Sequence, residues 1–242
     1  TATEPYRRRV ISMGEDASRV INTGAIGVWN LANETPMPKS ELEQSIGMEI
    51  TPGTLLVTLH PATLDTEPVG TRIGALLEAL DRLPDSRIIF TYPNNDPDGS
   101  VIIDRINSYA ARNAGRCVVI PSLGRRRYLS ALHYVAAVVG NSSSGIVEVP
   151  SVHIPTVDIG IRQQGRLASR SVIHCESDAG SIFAAIKLAL SPEGKQQARE
   201  AENPYCRPDT LAMMVEAIAT TPLATLSTKR FIDHNPLTTE QQ

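Results

Sequence analysis

The stretch Val138-Val139-Gly140-Asn141-Ser142-Ser143-Ser144-Gly145-Ile146-Val147-Glu148-Val149-Pro150 decides the fold, together with its continuation to Asp158-Ile159-Gly160-Ile161-Arg162-Gln163-Gln164-Gly165-Arg166. Ala136 to Val139 is a short apolar, β-branched run, the pattern of a buried strand. Gly140 to Ser144 is small and polar, so the strand stops in a turn. Ser143 can cap a short helix carrying Ile146, Val147 and Val149, and Pro155 to Ile159 is the next apolar strand, closed by Gly160. Strand, small-residue turn, short helix and strand make one βαβ unit with an anion site at the helix N-terminus.

The residue types suit a nucleotide. Gly140, Ser142 and Ser143 let a phosphate approach the backbone, and hydroxyls and N–H groups supply donors. Glu148 lies six residues after Ser142. At the helical rise that is roughly 9 Å, about the span from a diphosphate to its own ribose. A carboxylate there can accept from two ribose hydroxyls. Arg162, just past the next strand, can meet the phosphates or the sugar. Spacing alone leaves two other readings open. Gly140 to Ser144 can be a plain turn with Glu148 a solvated helix residue. Ser143, Asp158 and His174 also stand in the chain order of a hydrolase triad, although Ser143 lacks the glycine two residues before it that a nucleophile elbow requires.

Outward from this unit the alternation is regular. Strands are expected at Thr54 to Leu59, Arg87 to Tyr92, Arg116 to Ile120 and Ser171 to Cys175. Helices are expected at Thr71 to Leu83, Val101 to Asn113, Arg125 to Tyr134 and Ala179 to Leu190, the first with Ile73, Leu76, Leu77 and Leu80 on one face and the second with Ile102, Ile103 and Ile106 inward. About six strands alternating with helices predict an α/β fold, a Rossmann-like doubly wound parallel sheet with ligands at the strands' carboxyl ends. Ahead of it, the part of Glu4 to Gly27 that carries Arg7 to Asp16 reads as the end of a helix, Val20 to Thr23 is a short strand, Gly24 and Gly27 make a turn, and Lys39 to Ile46 is a short helix.

Composition narrows the function. A chain of 242 residues, 41% hydrophobic and 20% charged, has an ordinary globular balance and suffices for one core. The net charge of −3 gives no general attraction to nucleic acid, and no apolar run is long enough to span a membrane. Cys117, Cys175 and Cys206 are odd in number without a CxxC spacing, as in a cytoplasmic protein with reduced thiols. At the strand ends, His60 in Leu59-His60-Pro61-Ala62-Thr63-Leu64 can contact phosphate or transfer a proton. Asp96 and Asp98 imitate a metal-binding pair, but their loop fails the calcium pattern. No metal and no cofactor follow from the sequence.

Gly140 to Glu148 followed by Gly160 to Arg166 is similar to the nucleotide-binding signature of the hydrolysing UDP-N-acetylglucosamine 2-epimerases of sialic and related nonulosonic acid synthesis. The resemblance covers nearly the whole chain, including a His-Pro-x-Thr at His60 to Thr63 and the tail from Asn203-Pro204-Tyr205 through Thr228-Lys229-Arg230-Phe231-Ile232. It implies a two-domain GT-B type fold of which this chain is the C-terminal, UDP-binding half. Residues 1–38 would be the remnant of an upstream domain and a linker, 39–202 the UDP-binding domain, and 203–242 a helical tail crossing back toward the first domain. The resemblance makes His60 catalytic and places Asn94 and Ser100 near sugar and phosphates. Ser122 and Leu123 would read the uracil edge by backbone, with Ser142, Ser143 and Arg162 on the phosphates and Glu148 on the ribose. The reaction it implies is loss of UDP across C1–C2 and hydration to N-acetylmannosamine. The acidic groups for that step belong to the family's first domain, so this chain is expected to bind UDP without turnover. An unpartnered tail, Leu211 to Ile232, is expected to favour self-association, hence a homo-oligomer. A GT-B glycosyltransferase and a non-catalytic UDP-sugar binder are the competing functions.

Overall fold

The computed structural model describes residues 1–62, 67–222, 224 and 228–233. Thr63 and Leu64 of the His60 loop, and the end of the tail, lie outside these. Contacts divide the chain into one unit of Thr1–Ala32 with the residues from Pro204 on, and another of Asn33–Asn203.

The first unit contains α1 (Glu4–Ser12), and α2 (Ile26–Asn33) leads out of it into the second. The strand expected at Val20 to Thr23 does not form. No sheet partner adjoins it among the described residues; the Val20 carbonyl instead accepts from Arg7 Nε at 2.6 Å, and the Thr23 N–H donates to Thr1 O at 2.9 Å. The Gly24 turn is present at φ 75°, but Gly27 lies inside α2, a helix absent from the sequence reading.

The second unit begins with α3 (Lys39–Ile46) and continues with β1 (Leu55–Thr58), α4 (Val69–Asp81), β2 (Ile88–Thr91) and α5 (Gly99–Arg112). Then come β3 (Cys117–Ile120), α6 (Gly124–Leu132), β4 (Ala137–Gly140), the single turn α7 (Ser144–Val147), β5 (Thr156–Ile159) and β6 (Val172–Cys175). It closes with α8 (Ala179–Leu190) and α9 (Pro192–Glu200), the latter also absent from the sequence reading. The six strands are all parallel in the order β3-β2-β1-β4-β5-β6, with register Leu55↔Ile88 and Val57↔Val139 either side of β1. The strands are apolar runs because helices cover both faces: Leu55, Leu56, Val57, Ile88, Ile89 and Phe90 are fully buried. Ile73, Leu76, Leu77 and Leu80 of α4 and Ile102 and Ile106 of α5 face this core, while Ile103 is only half-buried.

The order reverses between β1 and β4. Their outgoing chains turn apart there, leaving a crevice beyond the carboxyl ends of both strands, the place where doubly wound sheets bind ligands. After α9, α10 (Thr210–Thr220) belongs to the first unit and exposes Leu211, Val215 and Ile218 at helical spacing.

Candidate functional site

The crevice is built from the ends of β1 and β4. Gly140 has φ 138°, and a Cβ on it would sit 1.9 Å from the Thr58 carbonyl oxygen. Only glycine lets β4 run against β1 as it ends. Asn141 follows, 1% exposed. Its Oδ1 accepts from the His60 N–H at 2.7 Å and its Nδ2 donates to the His60 carbonyl at 2.9 Å. One side chain thus replaces a missing ladder rung across the crevice. Its own carbonyl accepts from Arg162 at 3.0 Å and from the buried Gln163 side chain at 2.7 Å. The loops after β1, β4 and β5 are therefore tied together at a single residue.

His60 is 6% exposed. Burial, then the positive charge of Arg162, push its pKa down to about 4. The Asn94 N–H donates to its Nδ1 at 3.2 Å. The proton of the neutral ring therefore sits on Nε2, which remains a donor. At neutral pH this histidine is a hydrogen-bond donor; its one basic nitrogen is already occupied.

The turn after β4 supplies backbone donors. Among the described residues, the N–H groups of Ser142, Ser143 and Ser144 donate to no protein acceptor. Ser143 holds the N-cap position expected from the sequence, but it is already in the right-handed helical region and makes no side-chain cap. Its exposed hydroxyl is left over for another partner. Because α7 is one turn long, attraction for an anion rests on these individual donors more than on an accumulated helix dipole. Glu148 follows α7, half-buried, and burial raises its pKa against the opposing hydrogen bond from Ser144.

The remaining candidates follow β2 and β3. Ser100 opens α5, and Asn94 is exposed at the end of β2. Ser122 is exposed and Leu123 buried at the entry to α6, after β3. A cleft of about 910 Å³ is lined by Pro61, Glu67, Arg72, Asp96, Asp98 and Arg162 among others. Of the residues read from the sequence as ligand contacts Arg162 lines it, Asp96 and Asp98 of the rejected metal-like pair line it too, and Arg72, 6% exposed, was not singled out by the sequence reading. Asp158 and His174 do pair, at 2.9 Å, with Asp158 raised by burial and pulled back by His174 and Arg162. Ser143 takes no part in that pair, so the triad does not assemble. Among the described residues no cluster of three or more His, Cys, Asp or Glu is placed to hold a metal ion. Asn141, which ties the loops after β1, β4 and β5, was missed as a site residue; its only signal was a polar residue ending an apolar strand.

A parallel sheet whose strand order reverses at a polar, donor-lined crevice defines a doubly wound, Rossmann-like α/β protein. Within that class the chain belongs to the UDP-N-acetylglucosamine 2-epimerase family, whose model matches residues 1–219. It is 34% identical over 193 residues to the GDP/UDP-N,N'-diacetylbacillosamine 2-epimerase (hydrolyzing) of Campylobacter jejuni, covering 80% of this chain and 50% of that protein. It is 32% identical over 218 residues to the polysialic acid biosynthesis protein P7 of Escherichia coli, covering 90% and 55%. The chain spans about half the length of the curated relatives it matches. The S. aureus MnaA–UDP co-structure shares the fold at a TM-score of 0.70 and 17% identity, over 96% of this chain and 62% of that one.

Proposed function

We propose that this chain holds the UDP moiety of a UDP-N-acetylglucosamine-type sugar for a hydrolysing 2-epimerase. The observation that carries this reading is the tie of His60 and Arg162 to Asn141, next in the chain to the N–H groups of Ser142 to Ser144, which donate to no protein acceptor among the described residues. Those donors suit a diphosphate, and Glu148 suits a ribose diol. In the proposed reaction the C2 proton leaves, the C1–O bond to UDP breaks, and water adds across the resulting glycal to give N-acetylmannosamine. UDP gains negative charge as it departs. His60 Nε2–H, Arg162 and the serine donors stabilise it there, each well-placed donor being worth roughly 3–4 kcal/mol in comparable sites. His60 does not take the C2 proton, since its basic nitrogen accepts from Asn94 and its pKa is about 4. Asp96 and Asp98 are exposed. The chain by itself is therefore expected to bind without turnover. The Campylobacter relative, named for a diacetamido sugar, makes a substrate of that kind the alternative.

Residues 39–202 would form the UDP-binding domain, and 203–242 a tail crossing toward a further domain. The three free thiols fit a reducing compartment such as the cytoplasm. The exposed stripe of Leu211, Val215 and Ile218 supports self-association, readable by sedimentation velocity. Titration calorimetry tests the central reading: UDP should bind at least about tenfold better than ADP. Equal binding would reduce the site to a general phosphate cradle. A coupled assay of UDP release from UDP-N-acetylglucosamine tests the rest. Turnover by this chain alone on the order of 1 per second or faster would overturn the account of His60.

A further inference from the structure

We infer that Gln163 is a positioning residue for the nucleotide, holding the Asn141–Ser142 peptide so that the Ser142 N–H stays aimed at the diphosphate. This rests on the reading of the Ser142 to Ser144 N–H groups as diphosphate donors. Gln163 follows β5 and is 2% exposed. Its Nε2 donates to the Asn141 carbonyl at 2.7 Å. A carbonyl only accepts, so the nitrogen end of this amide must face it. The oxygen end is thereby fixed too, and it is costly: Oε1 is buried and, among the described residues, accepts no hydrogen bond. An unmet buried acceptor offsets at least what the neutral bond at the other end contributes. Fold stability therefore gives little reason for an amide here, and what the side chain supplies is the bond at Nε2.

That bond acts on a peptide group with two ends. The Asn141 carbonyl and the Ser142 N–H belong to one planar trans unit, in which they point in opposite directions. Pinning the carbonyl therefore sets the N–H. The Arg162 guanidinium pins the same carbonyl at 3.0 Å, and both donors come from the loop after β5. The Ser142 N–H is left turned away from these two donors and donates to no protein acceptor among the described residues. Rotation of this peptide would replace the N–H by a carbonyl oxygen, which repels an anion. The two pins are not equivalent. Arg162 is also the cation proposed for the phosphates, and a guanidinium drawn to them leaves Gln163 as the donor that keeps the carbonyl in place.

The test uses the full chain with Gln163→Met, which nearly keeps the volume and removes both ends of the amide. UDP binding, read by calorimetry, should weaken about three- to tenfold, the scale of one hydrogen bond. Uridine, read by ligand-observed NMR, should weaken less than about twofold. The urea midpoint should stay level or rise, because the unmet acceptor goes with the bond. In the wild-type chain the Ser142 amide proton should move downfield as UDP binds, and in Gln163→Met that shift should shrink. Gln163→Glu, which keeps the shape but when ionised offers only acceptors, should lose the shift as well. Unchanged UDP binding, equal losses for UDP and uridine, or a full Ser142 shift in both variants would overturn the inference. So would a fall in the urea midpoint with the Ser142 shift intact, the mark of a purely structural role. If the wild-type Ser142 amide does not respond to UDP, it is the diphosphate reading that fails, and the inference goes with it.

Discussion

At the residue scale the site depends on one position where side-chain volume is forbidden. Gly140 pairs with Thr58 as β4 runs beside β1, and its φ of 138° is one that L side chains rarely adopt. A methyl group there meets the Thr58 carbonyl oxygen at 1.9 Å, a backbone atom that cannot rotate away. Gly140→Ala therefore has to strain its own backbone or part the two strands that carry His60 and Asn141. We expect a loss of about 2–4 kcal/mol in urea unfolding, the sum of a strained backbone and an overpacked contact. Gly74 is the control. It lies inside α4, and a Cβ on it meets nothing within 4 Å. Gly74→Ala should stabilise by roughly 0.5–1 kcal/mol. A Gly140→Ala chain no less stable than the wild type would show that Gly140 is not held by sterics.

At the element scale, legibility followed the length and symmetry of each signal. The six strands were readable because a parallel sheet buried on both faces turns each strand into an apolar run. The helix α8 was readable because Ile182, Ala185, Ile186 and Ala189 repeat at helical spacing. The helix α9 was missed although Ser191-Pro192 is a start signal, and Ser191 does cap it by accepting from the Gly194 N–H at 3.1 Å. Its buried face is only Gly194 and Ala198, too small to register as periodicity. Candidate residues on the quoted motif could be named from sequence because they are neighbours in the chain. The Asn141 rungs to His60 span 81 positions, and the tie from Arg162 spans 21, so no local pattern announces them. The same holds for the entry to α6. There Arg127 Nε donates to the Leu123 carbonyl at 2.8 Å and its other nitrogen to the Ser122 carbonyl at 3.0 Å, so the helix grips its own leading loop. If Ser122 and Leu123 read uracil through their backbone, that grip sets the edge they present. Arg127→Ala should then reduce the preference for UDP over ADP, weakening UDP several-fold and ADP hardly at all in paired titrations. An unchanged ratio would detach the loop from base recognition.

At the scale of the whole molecule, the buried site writes itself into stability as a function of pH. His60 has its pKa depressed to about 4 from an ordinary 6.5, by burial first and by Arg162 second. Between those values the unfolded chain binds a proton that the folded chain refuses, so stability rises with pH across this window. The contribution is fully present above about 6.5 and is lost as pH falls through about 4, amounting to at most roughly 3 kcal/mol. His133, also depressed by burial, pulls in the same direction. Glu148 and Asp158 pull the other way, because burial raises their carboxyls. They favour the folded state at low pH, and that part fades as pH climbs through their folded values. The total curve mixes these opposing slopes, and a single melt against pH cannot assign them. A difference curve can. His60→Gln keeps an acceptor for the Asn94 N–H but cannot titrate. Unfolding free energies of both proteins, measured by urea from pH 4 to 8, should differ by a constant above about pH 6.5. The gap should then move against the wild-type chain as pH falls toward 4. A difference that stays flat over the whole range would mean that His60 is not held neutral in the crevice, and the assignment of its Nε2–H as a standing donor to the departing diphosphate would fall with it.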